Sequence, residues 1–370
     1  MTVLFMPDYS EDNPYQRNLA GGLVEDVTYG EEDSRLPVVA ALWREDISVV
    51  HVHWLNIFFN GEGYREKAVG FGLLLVRLLA IRLAGVPVVW TVHNATTHDR
   101  EHPRLERRFK RWFVTSGPCN RLIVHCEAVA DELIETVDLP PSVRERIDVI
   151  PHGHYLDNYP TEMSQREARE SLGIDESDTV FLFFGMIRRY KGVPDLVDAY
   201  EAASLPESTL LIAGNPDTEA LQAELDRKTA GATDIVTAYE FITCEEIQRY
   251  MNAADAVVLP FRRITTSGTA ILAMTFGKPL VVPPLGCLPE LLTEAGAIFY
   301  DRSERDGLAR ALEDAAEADL AAMGAANRRR VERYDWESIA SKTAAAYARA
   351  RGIEVTGPRD GSDVTAASDA

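Results

Sequence analysis

Residues Asp255–Pro284 read DAVVLPFRRITTSGTAILAMTFGKPLVVPP, and this stretch decides the fold class. The apolar run Ala256–Leu259 predicts a buried strand, and the pattern over residues 270–276 predicts a helix. Between them lie Pro260, two arginines and the small polar residues 265–269, TTSGT. A strand that runs through a short turn into a helix is the repeating unit of a parallel α/β sheet.

That turn has the composition of an anion-binding site. Ser and Thr at this point cap a helix, and Gly268 lets a ligand approach the backbone. The first N–H groups of the helix have no carbonyl partner and carry partial positive charge. A phosphate group is therefore the expected ligand.

A second stretch, Phe181–Gly192, reads FLFFGMIRRYKG and repeats the arrangement. Gly185 ends its apolar run, and Arg188, Arg189 and Lys191 follow. Arginine can hold phosphate oxygens through two parallel bonds, while lysine acts as a point charge. An ordinary connection with solvated basic residues would explain either turn alone, but two such turns in a very acidic chain favour two halves of one anion site.

The composition limits the class of partner. The chain has 370 residues and a net charge of −20, which suits two domains with separate cores and argues against nucleic acid as a partner. The acidic excess with few lysines indicates a halophilic protein of a high-salt cytoplasm, although a GC-rich genome also favours arginine. The first residues, MTVLFMPDYSED, show no secretory signal, so we expect a cytoplasmic protein.

Strands and helices alternate along the whole chain, which predicts α/β architecture with parallel sheets covered on both faces. In the first half the predicted strands are Val3–Met6, Ser48–His53, Pro87–Val92, Arg121–His125 and Asp148–Ile150. In the second half they are Val180–Phe184, Thr209–Ile212, Ile235–Tyr239, Ala256–Leu259, Leu280–Val282 and Ala297–Phe299. We expect two Rossmann-like, doubly wound domains that face each other across a cleft.

Histidines are concentrated in the first half, where five of the eight follow or end a predicted strand: His51, His53, His93, His125 and His152. Ligands of open α/β sheets bind at this edge. A lone histidine is more often a hydrogen-bonded structural residue than a catalyst. This interpretation is kept for His51, His102, His125 and His154.

The loop Thr91–His102, TVHNATTHDREH, differs because it combines His93, His98 and Asp99 after a buried strand. Such groups can transfer protons and bind sugar hydroxyls. We find no Asp-x-Asp and no histidine spacing typical of zinc, so the sequence predicts neither a metal site nor a cofactor.

Motifs in this order resemble the nucleotide-sugar-dependent hexosyltransferases of glycosyltransferase family 4, up to about Arg349. The pieces that carry the resemblance are NPYQRNLAGGL (13–23), HVHWL (51–55), TVHN (91–94), IPHG (150–153), FFGMIRRYKG (183–192), LLIAG (210–214), ADAVVLPFR (254–262), SGTAILAMTFGKPLVVP (267–283), LPELL (288–292) and YDWESIASKTAAAY (334–347).

The resemblance implies the GT-B fold. Residues 1–160 are then the acceptor-binding domain, residues 161–333 bind the nucleotide sugar, and residues 334–351 form a helix that packs back on the first domain. Residues 352–370 are rich in Gly, Ser, Asp and Thr, and this composition predicts a disordered tail. The expected substrates are a UDP-sugar or GDP-sugar and a glycan or lipid-linked acceptor.

Site residues carry over by position. Lys191 resembles the lysine that binds the donor diphosphate, and Arg188 is expected to replace the usual arginine, because Met186 follows the glycine here. The turn that holds the distal phosphate corresponds to Ser267, Gly268 and Thr269. Glu290 resembles the acid near the ribose or phosphates, and His93 resembles the histidine that reaches the donor sugar. Two glutamates common in the family are replaced by Ile264 and Leu272.

The resemblance implies metal-independent transfer of a glucose-type or mannose-type hexose to an acceptor hydroxyl. Inversion would need a base, for which Asp99 or His98 are candidates, whereas retention would let the leaving phosphate take the proton. The acceptor is expected near Asn13, Tyr15, His53 and Trp54. Two alternatives remain, a non-catalytic nucleotide-sugar-binding subunit and a nucleotide-sugar epimerase.

Membrane contact is a further expectation. The basic aromatic run Arg104–Phe113, RLERRFKRWF, suits a lipid phosphate or an anionic membrane surface, and a solvated helix face is its commoner explanation. The apolar segment Ala68–Ala84 predicts a buried helix first and an interfacial helix second. Peripheral association with the inner face of the cell membrane would follow from either feature.

Overall fold

The computed structural model describes residues 1–10, 14–29, 47–55, 64–94 and 103–354, with side chains of the helix at 64–83 described from residue 69. The chain divides into two compact units, Met1–Gly153 with Tyr334–Ala370, and His154–Arg333. The sequence places the boundary at residue 160, and the structure places it just before His154.

The first unit has a parallel six-stranded sheet in the order β2-β1-β3-β4-β5-β6. Its strands are β1 (Thr2–Met6), β2 (Asp26–Tyr29), β3 (Ile47–Val52), β4 (Val88–Thr91), β5 (Cys119–Val124) and β6 (Ile147–Val149). Its helices in this part are α1 (Pro14–Gly22), α2 (Tyr64–Leu83), α3 (Pro103–Thr115) and α4 (Glu127–Val137). Every residue of β4 is buried, as expected for a strand covered on both faces.

The second unit has another parallel six-stranded sheet, in the order β12-β11-β10-β7-β8-β9. Its strands are β7 (Thr179–Phe184), β8 (Ser208–Ala213), β9 (Ile235–Ala238), β10 (Ala256–Val258), β11 (Leu280–Val282) and β12 (Ala297–Phe299). Its helices are α5 (Gln165–Leu172), α6 (Val193–Ala202), α7 (Glu219–Lys228), α8 (Ile247–Ala253), α9 (Gly268–Thr275), α10 (Leu288–Leu291), α11 (Gly307–Glu317) and α12 (Leu320–Val331).

The last helix, α13 (Trp336–Ala350), returns to the first unit and packs against α1. Asp335 caps it by accepting a hydrogen bond from the Ser338 amide at 2.7 Å. A buried ion triad fixes its other end, because Asp148 pairs with Arg121 at 2.8 Å and with Arg349 at 2.7 Å. Removing one member would leave a buried charge uncompensated.

The predicted strands agree with the observed ones to within two residues at each end. Strand β2 is absent from the prediction, because its residues DVTY are too few and too polar to form an apolar run, and it lies at a sheet edge. Helix α2 is buried along one side only, at Leu74, Leu78 and Ile81. Among the described residues no helix has the length and apolar character needed to cross a bilayer.

Candidate functional site

The centre of the second sheet is a topological switch point. Strands β7 and β10 are neighbours, yet β7 leads to β8 on one side while β10 leads to β11 on the other. Such a reversal opens a crevice at the carboxyl edge, where α/β sheets bind ligands. The turns 185–192 and 259–267 follow these two strands, so both begin at the same crevice.

The two turns meet at Gly185. A Cβ atom built on this residue would lie 3.4 Å from Lys191 Nζ and 3.4 Å from Thr269 Oγ1. The φ angle of Gly185 is 108°, a conformation that strongly favours glycine. The ammonium, the hydroxyl and a backbone without a side chain therefore line one small space.

Helix α9 begins at this space. The buried Ser267 hydroxyl accepts a hydrogen bond from the Ala270 amide at 3.1 Å, so it caps the helix. The amides of Gly268 and Thr269 are the first of the helix and have no intrahelical carbonyl partner. These amides, more than the Ser267 hydroxyl, are the groups of the turn suited to an anion.

Two arginines of the turns are used in ion pairs. Arg189 pairs with Glu224 at 2.5 Å, and Arg262 makes two bonds of 2.7 Å to the Asp195 carboxylate. Their charges are largely neutralised, and both side chains are exposed. Neither is therefore suited to be the main anion ligand.

Lys191 and Arg188 are two further cations of these turns. Among the described residues, Lys191 Nζ has no hydrogen-bond or ion-pair partner, and it lies 5.9 Å from the centre of the Phe183 ring. Arg188 contacts the Met186 sulfur at 3.2 Å. Burial and then the charge of Arg188 lower the pKa of Lys191 from 10.5 to about 8. An anion bound between Lys191 and Arg188 would replace the hydration that the Lys191 ammonium loses on burial.

Glu290 lies on the four-residue helix α10, and its side chain is exposed. The loop before it contacts the turn that precedes α9, because the Cys287 amide donates to the Thr265 carbonyl at 2.9 Å. Arg330 holds the end of α10 by donating to the Glu290 carbonyl at 2.9 Å. The backbone thus fixes this loop beside the turn.

In the first unit, four imidazoles surround the buried Tyr15 ring. The ring-centre distances are 5.8 Å to His53, 4.9 Å to His93, 5.7 Å to His125 and 4.8 Å to His152. Each histidine follows a different strand, so the carboxyl edge of the sheet brings them together. The sequence indicates this edge but not the central position of Tyr15.

Burial lowers the pKa of these imidazoles, and the neighbouring imidazoles add to the effect for all but His125. The pKa falls from 6.5 to about 3 for His51 and His152 and to about 4 for His125, and it lies well below 6.5 for His53 and His93. At neutral pH the rings are therefore uncharged. They can orient hydroxyl groups, but they are weak bases.

His51 is a satisfied structural histidine. Its Nδ1 and Nε2 atoms lie 2.7 Å from the Tyr347 hydroxyl and 2.7 Å from Thr91 Oγ1. Helix α13 also contributes Trp336, whose ring lies 5.3 Å from that of Tyr15. The sequence motif 334–347 marks this helix, but no local signal indicates that it contributes to the histidine cluster.

Replacing Tyr347 with phenylalanine is expected to lower the free energy of unfolding by about 1–3 kcal/mol, because one nitrogen of the buried His51 ring loses its partner. Urea denaturation followed by far-ultraviolet circular dichroism, which reports on both units, measures this change. Tyr300→Phe, on the second unit, is the comparison variant. An unchanged midpoint for Tyr347→Phe would show that the bond contributes nothing.

A small pocket adjoins the histidine cluster. It is lined by His53, Trp54, Leu55, Trp90, His93, Asn94 and Lys110. The Trp54 and His93 rings stack with centres 4.4 Å apart, and Lys110 forms a buried ion pair with Glu106 at 2.6 Å. Aromatic rings and a charged hydrogen-bonding pair are groups that can contact a sugar. Lys110 belongs to the run Arg104–Phe113, for which a solvated helix face is the commoner explanation. The structure corrects this for Lys110, because its side chain is buried.

The expected residues are therefore only partly brought together. Tyr15, His53 and Trp54 lie in the cluster or the pocket, with His93 between them. Asn13, His98 and Asp99 lie outside the described residues.

Comparison with known proteins identifies the family. Residues 67–158 match the model described as Glycosyltransferase Family 4, and residues 178–318 match the one described as Glycosyl transferases group 1. A GDP-mannose:glycolipid 4-beta-D-mannosyltransferase of Xanthomonas campestris pv. campestris is 30% identical over 291 residues, which cover 76% of this chain and 74% of that protein. The chain belongs to glycosyltransferase family 4.

Another relative of this glycosyltransferase matches over less of its own length. A D-inositol 3-phosphate glycosyltransferase of Mycobacterium sp. (strain JLS) is 33% identical over 215 residues, which cover 55% of this chain and 47% of that protein. Among solved structures, Anabaena HepE in complex with UDP and glucose has a TM-score of 0.73 at 16% identity, covering 94% of this chain and 100% of that one. WaaG, involved in lipopolysaccharide biosynthesis, has a TM-score of 0.62 at 16% identity, covering 93% and 98%. These likenesses confirm the GT-B fold.

The glycosyltransferase departs from its family pattern at the two apolar positions. Leu272 is 6% exposed and packs within α9, and Ile264 is half-buried before the helix. Neither side chain can bind a hydroxyl.

Proposed function

We propose that this glycosyltransferase moves mannose from GDP-mannose to a hydroxyl group of a lipid-linked glycan. The observation that carries the proposal is the Lys191 ammonium, which has no anionic partner among the described residues and lies beside Thr269 and the first amides of α9. A diphosphate matches this set of donors in charge and in hydrogen-bonding capacity.

The reaction places negative charge where these donors point. The acceptor oxygen bonds to the anomeric carbon, and the bond from that carbon to the phosphate oxygen breaks with its electron pair moving to the diphosphate. Fixed donors at the diphosphate stabilise this developing charge more than the ground state. Lys191, Arg188 and the α9 turn perform this role, and we propose that no metal ion is needed.

The acceptor proton requires a separate recipient. Asp99 or His98 would take it if the configuration is inverted, and the leaving phosphate would take it if the configuration is retained. His93 has a pKa well below 6.5, which suits it to orient the donor sugar rather than to act as the base. Tyr15, His53 and Trp54 would bind the acceptor.

The donor is proposed from the relatives' names. The Xanthomonas enzyme is named for GDP-mannose and a glycolipid, and the Anabaena structure contains UDP and glucose. The first shares 30% of its aligned residues with this chain and the second 16%, which favours the guanine nucleotide and mannose. UDP-glucose is the alternative donor.

A non-catalytic nucleotide-sugar-binding subunit is the second candidate function. Ile264 and Leu272 favour it, because both polar groups that the family pattern places around α9 are missing. Such a subunit would keep the phosphate turn and bind donor without turning it over.

Calorimetric titration of the purified chain separates these functions when combined with mass spectrometry of the products. We expect GDP-mannose to bind more tightly than UDP-glucose and an acceptor glycolipid to gain the mass of one hexose, with or without a metal chelator. Binding without hydrolysis or transfer would identify the subunit. An isomerised donor with no acceptor product would identify an epimerase.

A further inference from the structure

Tyr155 of the second unit lies along helix α9. Its amide donates a hydrogen bond to Thr275 Oγ1 at 3.3 Å, and Thr275 is the last residue of α9. Its hydroxyl lies at the other end, because a Cβ atom built on Gly268, the first residue of α9, would be 3.1 Å from Tyr155 Oη. The side chain therefore runs from the C-terminal end of α9 to its N-terminal turn.

The Tyr155 hydroxyl occupies space that a side chain at position 268 would need. Tyr155 is 9% exposed, and its ring packs 5.9 Å from that of Tyr159. A Cβ atom at 3.1 Å from a buried phenol oxygen is closer than ordinary van der Waals contact. Gly268 thus makes room for the phenol as well as for a ligand. None of the motifs that carry the family resemblance includes Tyr155.

We infer that the Tyr155 hydroxyl donates a hydrogen bond to the distal phosphate of the nucleoside diphosphate. The inference rests on the diphosphate site proposed above, and it adds a donor to the Lys191 ammonium and the Thr269 hydroxyl. The first amides of α9 carry partial positive charge. This field favours a phenol whose oxygen is turned toward the amides, so its O–H is directed away from the helix toward a bound anion.

A hydroxyl differs from the Lys191 ammonium in what it contributes. The ammonium attracts an anion from any direction, whereas the O–H bond of a fixed phenol aims at one oxygen atom. Negative charge on the diphosphate increases as the bond to the anomeric carbon breaks, so this hydrogen bond strengthens in the transition state. The phenol keeps its proton throughout. Loss of the hydroxyl should therefore slow sugar transfer more than it weakens binding.

Tyr155→Phe tests the inference by titration calorimetry with GDP, UDP, their monophosphates and inorganic pyrophosphate. The variant should bind pyrophosphate and the diphosphates about 10-fold more weakly, since a hydrogen bond to a charged group is lost. GMP and UMP lack the distal phosphate, so their affinities should stay within about twofold. Tyr200→Phe is the matched control, because it removes a buried hydroxyl that lies 2.9 Å from Ser208 Oγ at the amino end of β8, on the opposite edge of the sheet.

Gly268→Ala tests the contact itself. In the wild-type background the new methyl group would lie 3.1 Å from Tyr155 Oη and displace the phenol, so pyrophosphate affinity should fall. In the Tyr155→Phe background the nearest remaining ring atom, Cζ, lies 4.0 Å away, so the same substitution should cost little more. Additive losses would contradict the inference, because residue 268 would then act without the phenol.

The outcomes separate this inference from the proposed function. Equal losses for diphosphates and monophosphates in Tyr155→Phe, or an unchanged pyrophosphate affinity, would overturn the inference even if the wild type transfers a hexose. A wild type that binds pyrophosphate more tightly than Tyr155→Phe but transfers no hexose would support the inference and contradict the proposed function. A wild type that binds neither pyrophosphate nor nucleotide would overturn both.

Discussion

Lys191→Ala is expected to weaken binding of GDP or UDP by about 10- to 150-fold and to slow sugar transfer further. A charge-assisted hydrogen bond contributes about 1.5–3 kcal/mol to binding. Removing one donor to a charge that develops in the transition state costs about 10²–10³ in kcat. Titration calorimetry measures the first effect, and steady-state transfer measures the second.

Arg189→Ala is the matched control for this prediction. It lies two residues away in the same turn, carries the same charge and pairs with Glu224 on the surface. We expect its nucleotide affinity to stay within about twofold of the wild type, since exposed ion pairs contribute little. Equal losses for the two variants would mean that general positive charge, rather than the geometry at Gly185, attracts the nucleotide.

The pH dependence adds an independent signature. Because the pKa of Lys191 is lowered to about 8, the ammonium loses its proton as pH rises through that value, and nucleotide affinity should fall in the alkaline range. Lys191→Arg keeps its charge throughout and should bind with little change between neutral pH and about pH 9. An affinity for wild-type protein that is flat over the same range would contradict a direct role for the ammonium.

The sequence predicts most of the fold because the strands are buried on both faces. Residues such as Phe181–Phe184 and Val88–Trp90 form continuous apolar runs, which a parallel sheet requires. The short polar edge strand Asp26–Tyr29 carries no such pattern. The local sequence pattern also does not indicate the order of the strands in the sheet. The switch point between β7 and β10 can therefore be seen only in the structure.

The sequence predicts those site residues that lie within one short segment of characteristic composition. Lys191 and Thr269 belong to turns whose composition indicates an anion, and the structure places both within 3.4 Å of one point. Whether the other basic residues form ion pairs depends on side chains from elsewhere in the fold. The partners of Arg262 and Arg189 are Asp195 and Glu224, which lie on separate helices. Sequence alone cannot distinguish a paired arginine from an available one.

The first unit shows the same limit more strongly. Strand ends identify the histidines, yet Tyr347 reaches His51 across 296 residues of sequence. Lys110 is one of many basic residues in its run, and only the packing of α3 turns it inward toward Trp90 and Asn94. Contacts of this kind depend on how helices are placed on the sheet.

Mild acid is expected to unfold the first unit before the second. Histidines buried with pKa values of about 3–4 must take up protons on unfolding, where their pKa is near 6.5. The unfolded state therefore binds more protons throughout this window, and stability falls as pH decreases from about 6.5. Each histidine costs about 1.4 kcal/mol per pH unit, so three of them remove about 6 kcal/mol by pH 5, a large part of a typical total.

Tryptophan fluorescence can follow the first unit alone. All five tryptophans, Trp43, Trp54, Trp90, Trp112 and Trp336, fall within residues 1–153 or 334–370, whereas the second unit contains only His154 among the histidines. Acid titration should shift tryptophan emission to longer wavelength with a midpoint between about pH 4 and pH 6. Far-ultraviolet circular dichroism should retain a large share of its signal over the same range. The second unit has no comparable cluster of histidines, so its sheet should stay folded.

The number of protons taken up provides the decisive measurement. The slope of unfolding free energy against pH, from urea titrations at successive pH values, should correspond to about three or more protons near pH 5. His51→Gln keeps a side-chain donor and acceptor for Tyr347 and Thr91 but does not titrate, so its slope should fall by about one proton. An unaltered slope in His51→Gln, or tryptophan emission that stays native to pH 4, would show that the imidazoles are not held neutral by burial and that the cluster around Tyr15 is open to solvent.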